Sequence, residues 1–136
     1  MIVVDASLII ALILLEDNAG DPGLVYDAMR ATQIIAPAHW PAEIANALWA
    51  NQRRGRISAD SLSAAIDYLI AFKPRIDPAP SLVHMPALVQ FADKERLTVY
   101  DAIYVQLALS NKASLATIDG DMRACAKRLN IPLIPA

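Results

Sequence analysis

Four carboxylates, Asp5, Glu43, Asp101 and Asp119, lie far apart along the chain but in equivalent local settings. Each falls at the end of a strand-like apolar run or in the first turn of a helix-like one, positions that an alternating α/β chain can bring to one sheet edge. Held together, four negative charges would repel one another and raise some of their pKa values unless a cation neutralised them. The set therefore implies a metal. All-oxygen donors without a cysteine or histidine partner suit a hard octahedral ion, so Mg²⁺ is expected, with Mn²⁺ as a substitute, rather than Zn²⁺. At a phosphate ester such an ion activates a water and offsets charge in the transition state. The implied chemistry is phosphodiester hydrolysis.

The most informative stretch is Leu97-Thr-Val-Tyr-Asp101-Ala-Ile-Tyr104, which opens an otherwise apolar helix. Thr98 is a natural N-cap and Asp101 stands three residues on, a capping box with aspartate in place of glutamate. Capping alone would explain this acid, and it is compatible with metal binding. The positive field of a helix N-terminus keeps a carboxylate ionised, as a cation ligand must be.

The surrounding elements follow from period and punctuation. Met1-Ile-Val-Val-Asp5 is a short buried strand, and Ser7 is expected to cap the apolar helix after it. Asp21-Pro22 places an N-cap and a first-turn proline before a helix running to about Arg30. Gln33-Ile-Ile-Ala36 reads as a second strand, stopped by Pro37. A helix from Pro41 to Arg54, with Gly55 at its end, sets Glu43 and Asn46 on one side and Ile44, Ala47 and Leu48 on the apolar side. Ser58 caps another, whose Leu62, Ala65, Ile66, Leu69 and Phe72 form a regular apolar face. The proline-dense segment 73–80 is a loop with at most an edge strand near Ile76. Leu82 to Lys94 is helical, with Pro86 in a first turn or at a kink, and the helix after Thr98 extends to about Asn111. Ser114-Leu-Ala-Thr117 is a strand that delivers Asp119, a helix covers about Asp121 to Leu129, and Ile131 to Pro135 is an edge strand.

Strands alternating with helices predict a three-layer α/β/α sandwich around a central parallel sheet of four to five strands, in one domain spanning residues 1–136. With 56% hydrophobic residues the chain can bury a sizeable core and is not expected to be disordered. No apolar run approaches the roughly 20 residues of a membrane span. The acidic residues flanking the first apolar helix disfavour a signal peptide. A single cysteine, Cys125, suits a reducing, cytoplasmic compartment and reads as a core residue. The net charge is −2, so a polyanion would have to meet a local patch. Arg53, Arg54 and Arg56 are the candidates, with Lys73, Arg75 and Arg123 as extensions; a solvated helix end is the alternative reading of the three arginines.

Four segments taken together carry a family resemblance: Val-Val-Asp5-Ala-Ser7, Pro41-Ala-Glu43-Ile-Ala-Asn46, Leu97-Thr-Val-Tyr-Asp101-Ala-Ile-Tyr104 and Leu115-Ala-Thr117-Ile-Asp119. In order and spacing they resemble the acidic motifs of the PIN-domain family, in particular its VapC-type toxin endoribonucleases. The resemblance implies that Asp5, Glu43, Asp101 and Asp119 form a Mg²⁺ site, directly or through waters, with Ser7, Thr117 and Asn46 supporting it. It further implies an RNA substrate, a homodimer and a small cognate antitoxin that silences the enzyme. Asp121 reads as the cap of the last helix, with a share in the ligand set as the alternative.

Two other readings compete. A phosphoacceptor receiver domain also uses strand-end aspartates, but the first strand lacks a paired acidic doublet and no lysine follows Ser114–Thr117 near a strand end. A non-catalytic PIN-like interaction module would lack one or more of the acids, and none is missing. His39 and His84 have no partner at metal-ligand spacing and read as loop or surface residues. Trp40, Trp49, Tyr100 and Tyr104 read as core or interface packing, with base stacking or, for Tyr104, hydroxyl contact with the site as the alternative.

Overall fold

The computed structural model describes all residues from Met1 to Ala136. Five short strands, β1 (Ile2–Val4), β2 (Ile34–Ala36), β3 (Arg75–Ile76), β4 (Ser114–Ala116) and β5 (Leu133–Ile134), form one sheet in the order β3-β2-β1-β4-β5. Every pairing is parallel, with Ile2 opposite both Ile34 and Ser114, and Val3 opposite Ile35 and Leu115. The central strands are apolar on both faces because both are covered: Val3, Val4, Ile35 and Leu115 are wholly buried. Exposed β3 and proline-flanked β5 form the edges, where missing ladder donors do least harm.

Seven helices complete the three-layer α/β/α architecture: α1 (Ala6–Ile13), α2 (Pro22–Ala31), α3 (Trp40–Arg53), α4 (Ala59–Ala71), α5 (Met85–Glu95), α6 (Val99–Asn111) and α7 (Gly120–Arg128). From β1 the chain winds outward to β2 and β3, then crosses back to β4 and β5. Strand order therefore reverses between β1 and β4, and right-handed crossovers lay the two sets of connections on opposite faces. The cleft beyond the carboxyl ends of β1 and β4 is where such a sheet binds its ligands. No helix is long and apolar enough to cross a membrane.

Most expected caps are present. Asp21 accepts the Gly23 amide at 2.9 Å, Ser58 the Ser61 amide at 3.1 Å, and Thr98 the Asp101 amide at 3.1 Å. Gly55, just past α3, has φ +73°, a left-handed turn that relieves the helix end. Two caps differ from expectation. Ser7 lies inside α1 rather than at its cap; Asp5 holds that position, and the Ser7 hydroxyl donates to the Asp5 carboxylate, a stronger acceptor than a neutral capping geometry offers. The last helix is capped by Asp119, which accepts the Met122 amide at 2.8 Å, while exposed Asp121 sits in the first turn.

The apolar face of α4 is only half covered. Leu62, Leu69 and Phe72 pack against the core, yet α4 has no fully buried residue and Ile66 is exposed. The helix lies at the periphery, against α3 and, through Tyr68, against Tyr26 and Arg30 of α2, and an apolar groove of about 390 Å³ remains between α3 and α4. Pro86 falls in the first turn of α5, following a short 3-10 turn at Leu82–His84, so no kink is needed.

Candidate active site

The end of β1 delivers Asp5, the first turn of α3 Glu43, the first turn of α6 Asp101, and the start of α7 Asp119. All four line a single open cavity of about 380 Å³ at the carboxyl edge of the sheet, together with Ser7 and Glu16. A larger hollow of about 560 Å³ beside His39, Asp77 and Gln106 and the apolar α3/α4 groove lie elsewhere, and neither gathers carboxylates.

Asp5 is the most deeply set, 3% exposed. Its Oδ2 accepts the hydroxyls of Ser7 and, at 2.8 Å, of Thr117. Burial nevertheless raises its pKa; the two hydroxyls oppose the shift and the Asp119 charge adds to it. Thr117, wholly buried, uses the same oxygen to accept the Asp119 amide at 3.0 Å, so one hydroxyl links two acids. Asp101 is also raised, first by burial and then by Asp119, with Asp5 and Glu43 contributing and the Thr98 contact opposing. The Asp119 charge thus bears on both Asp5 and Asp101.

Glu43 is held by Tyr104, whose buried hydroxyl donates to Glu43 Oε1 at 2.8 Å. Burial first, then its bond to Glu43, pushes the Tyr104 pKa far upward, so this phenol stays a donor. His39 Nε2 lies 3.1 Å from the same Oε1, but out of line for a hydrogen bond, and the contact is a close electrostatic approach. The His39 ring sits edge-on to Tyr100 and Tyr104, with centroids 5.3 and 5.2 Å away.

No three of the acids close into a ready-made metal cage. The donor set fits a hard divalent ion. It is all oxygen, it faces an open cavity, and its two shifted carboxylates are raised by burial and by the neighbouring Asp119 charge, the penalties that a cation relieves.

The PIN domain profile matches this chain over residues 2–128. The chain belongs to the PIN-domain family. Over 118 residues it is 30% identical to Ribonuclease VapC3 of Pyrobaculum aerophilum, covering 87% of this chain and 88% of that one. Its fold is similar to the crystal structure of PAE2754 from Pyrobaculum aerophilum, with a TM-score of 0.71 and 25% identity over 98% of this chain and 83% of that one. The receiver-type alternative falls with these matches.

Several side chains of this PIN-domain protein depart from their expected roles. Asn46 is exposed and does not line the cavity, whereas Ala47 does. At 3.6 residues per turn, position 47 lies about 40° from Glu43 around the helix and position 46 about 60° to the other side. Arg123 is half-buried and donates to the carbonyls of Thr117 and Pro135, both at 2.9 Å, so its guanidinium ties β4 to the C-terminal segment and is not free for a polyanion. Trp49 is exposed rather than packed in the core, with the Arg53 guanidinium 4.9 Å from its ring centre. Tyr100 is likewise exposed.

Glu16 and His39 were not singled out for the site by sequence. Glu16 looked like part of a polar helix end; it reaches the cavity because the chain turns back after α1, and it pairs with Arg56 at 3.5 Å. His39 stands four residues before Glu43, a spacing that shares a helix side and could have signalled it; for Tyr104 the alternative of a hydroxyl contact with the site is the one the structure shows.

Proposed function

We propose that this protein is a Mg²⁺-dependent endoribonuclease, with Mn²⁺ able to substitute, and the toxin of a toxin–antitoxin pair. The observation that carries the reading is the single cavity gathering Asp5, Glu43, Asp101 and Asp119, two of them bridged by Thr117, at the point where strand order reverses. The 30% identity to a relative named ribonuclease VapC3 adds the substrate class.

On this reading the four acids hold the cation, directly or through waters. When bound, the ion supplies Lewis acidity toward a phosphate ester and a nucleophilic water. Ser7 and Thr117 fix the orientation of Asp5, and Thr117 also fixes the backbone at Asp119. Exposed Arg53 and Arg54, and Arg56 beside Glu16, meet RNA phosphates. Residues 1–136 act as one PIN-like unit in the cytoplasm, as a homodimer for which exposed Leu82, Val83 and Val89 offer apolar surface. A small cognate antitoxin occludes the acids or the basic surface.

Purified antitoxin-free protein incubated with total RNA tests the reading, with Mg²⁺ or EDTA and beside Asp101→Ala. Cleavage should require both the ion and Asp101. Equal cleavage in every sample, or none in any, would overturn it.

A further inference from the structure

We infer that Tyr104 is a positioning residue for the acid cavity: its hydroxyl braces Glu43 of α3 against α6, the helix that carries Asp101. The inference rests on the metal-site reading above and adds to it a residue outside the acid set.

Two acid-bearing helices meet at this contact. The Tyr104 hydroxyl donates to Glu43 Oε1 at 2.8 Å and so links α6 to α3. Tyr104 itself belongs to α6, one turn beyond Asp101. The contact joins residues 61 positions apart, so it sets a tertiary spacing and not a local helix geometry.

Filling the core does not require this hydroxyl. Phenylalanine would occupy the same volume, and a buried hydroxyl is costly unless partnered. Its side-chain partner is Glu43. A glutamate on a half-exposed helix face otherwise samples many rotamers and loses that freedom on taking up a ligand. Here Oε1 is engaged by Tyr104 and approached by His39 Nε2 at 3.1 Å, while Oε2 accepts no hydrogen bond from the chain. The brace therefore presents one oxygen of Glu43 in a fixed place. Groups that orient metal ligands in this way typically govern affinity by about 10- to 100-fold.

The test uses the RNA-free protein with Mn²⁺ as the probe, followed by paramagnetic resonance or calorimetry, alongside thermal melting. Tyr104→Phe should weaken Mn²⁺ binding about 10- to 100-fold, and the same change in a Glu43→Gln background should add no further loss. Val25→Ala, a core truncation in α2, which carries none of the acids, should lower the melting temperature and leave Mn²⁺ binding within about twofold. Should Tyr104→Phe not fold, Glu43→Asp carries the test from the other end, keeping the charge while withdrawing it from the hydroxyl, and should show a loss of similar size. Binding by Tyr104→Phe within twofold of the parent, or an equal loss in the Glu43→Gln background, would overturn the inference while Glu43-dependent uptake of Mn²⁺ left the metal site standing. Absence of Glu43-dependent uptake in the parent protein would overturn both.

Discussion

Thr117→Val separates the scaffold of the cavity from its contents. The side chain is wholly buried, and its hydroxyl both donates to Asp5 Oδ2 at 2.8 Å and accepts the Asp119 amide at 3.0 Å. Valine keeps the shape and removes both bonds. A hydrogen bond to a charged acceptor contributes about 1.5–3 kcal/mol, and a buried amide left without a partner costs about 1–3 kcal/mol. The losses do not simply add. Asp5 keeps the Ser7 hydroxyl and can take up a proton more readily, since burial already raises its pKa. The net cost should be about 2–4 kcal/mol. For a chain of this length that is a fall in melting temperature of about 6–15 °C. Thr117→Ser retains the hydroxyl and loses one methyl group, which costs about 1 kcal/mol. Thermal denaturation of the two variants in EDTA near neutral pH measures the difference, and Mn²⁺ titration should show a further loss of about 10- to 100-fold for valine alone. Equal melting temperatures for the two variants would refute the argument that the hydroxyl ties Asp5 to Asp119.

The pH dependence of metal stabilisation has a defined sign. Asp5 and Asp101 are both raised from 3.8, chiefly by burial. Their contribution to stability is fully present below that value and is lost as pH rises through the raised folded values. Mg²⁺ binds the ionised forms, so it should raise the melting temperature more at pH 8 than at pH 5; an effect that is flat with pH, or larger in acid, would contradict this account. Salt dependence tests the phosphate contacts. With Asp101→Asn protein and single-stranded RNA, Arg53→Ala and Arg54→Ala should each reduce the slope of log affinity against log salt by about 0.7. Arg123→Ala should leave that slope unchanged and lower the melting temperature, because its two bonds are to backbone carbonyls; a slope reduced equally by Arg123→Ala would show that this guanidinium meets phosphate after all.

What the sequence made legible was whatever is written locally. Asp5, Glu43, Asp101 and Asp119 could be picked out because strand ends and first helical turns leave signatures within a few residues, and parallel-sheet topology does the gathering. The order of elements and the caps at Asp21, Ser58 and Thr98 were legible for the same reason. Side-chain partnerships were not. Arg123 looked like any solvated arginine until two carbonyls were brought to it, and Tyr104 meets Glu43 only through the packing of α6 against the rest of the fold. Periodicity also tells which face of a helix is apolar without telling how much will cover it. The regular pattern of α4 suits a buried helix, but its peripheral place leaves that face half open.

Capping and the proposed ligation at these acids are compatible atom by atom. Asp119 gives Oδ1 to the Met122 amide and thereby caps α7. Asp5 takes both hydroxyls on Oδ2, and Glu43 takes Tyr104 on Oε1. In each case one oxygen is committed to the scaffold, and the other accepts no side-chain hydrogen bond. At Asp101 the Thr98 cap is made to the backbone amide, and the Thr98 hydroxyl also stabilises the carboxylate. A carboxylate has two oxygens and about four lone-pair directions, so structural and chemical duties need not compete. Neutralising Asp101 removes charge from the cavity while leaving the Thr98 bond to its backbone amide in place, which makes it the position where loss of activity and loss of stability are most cleanly separable.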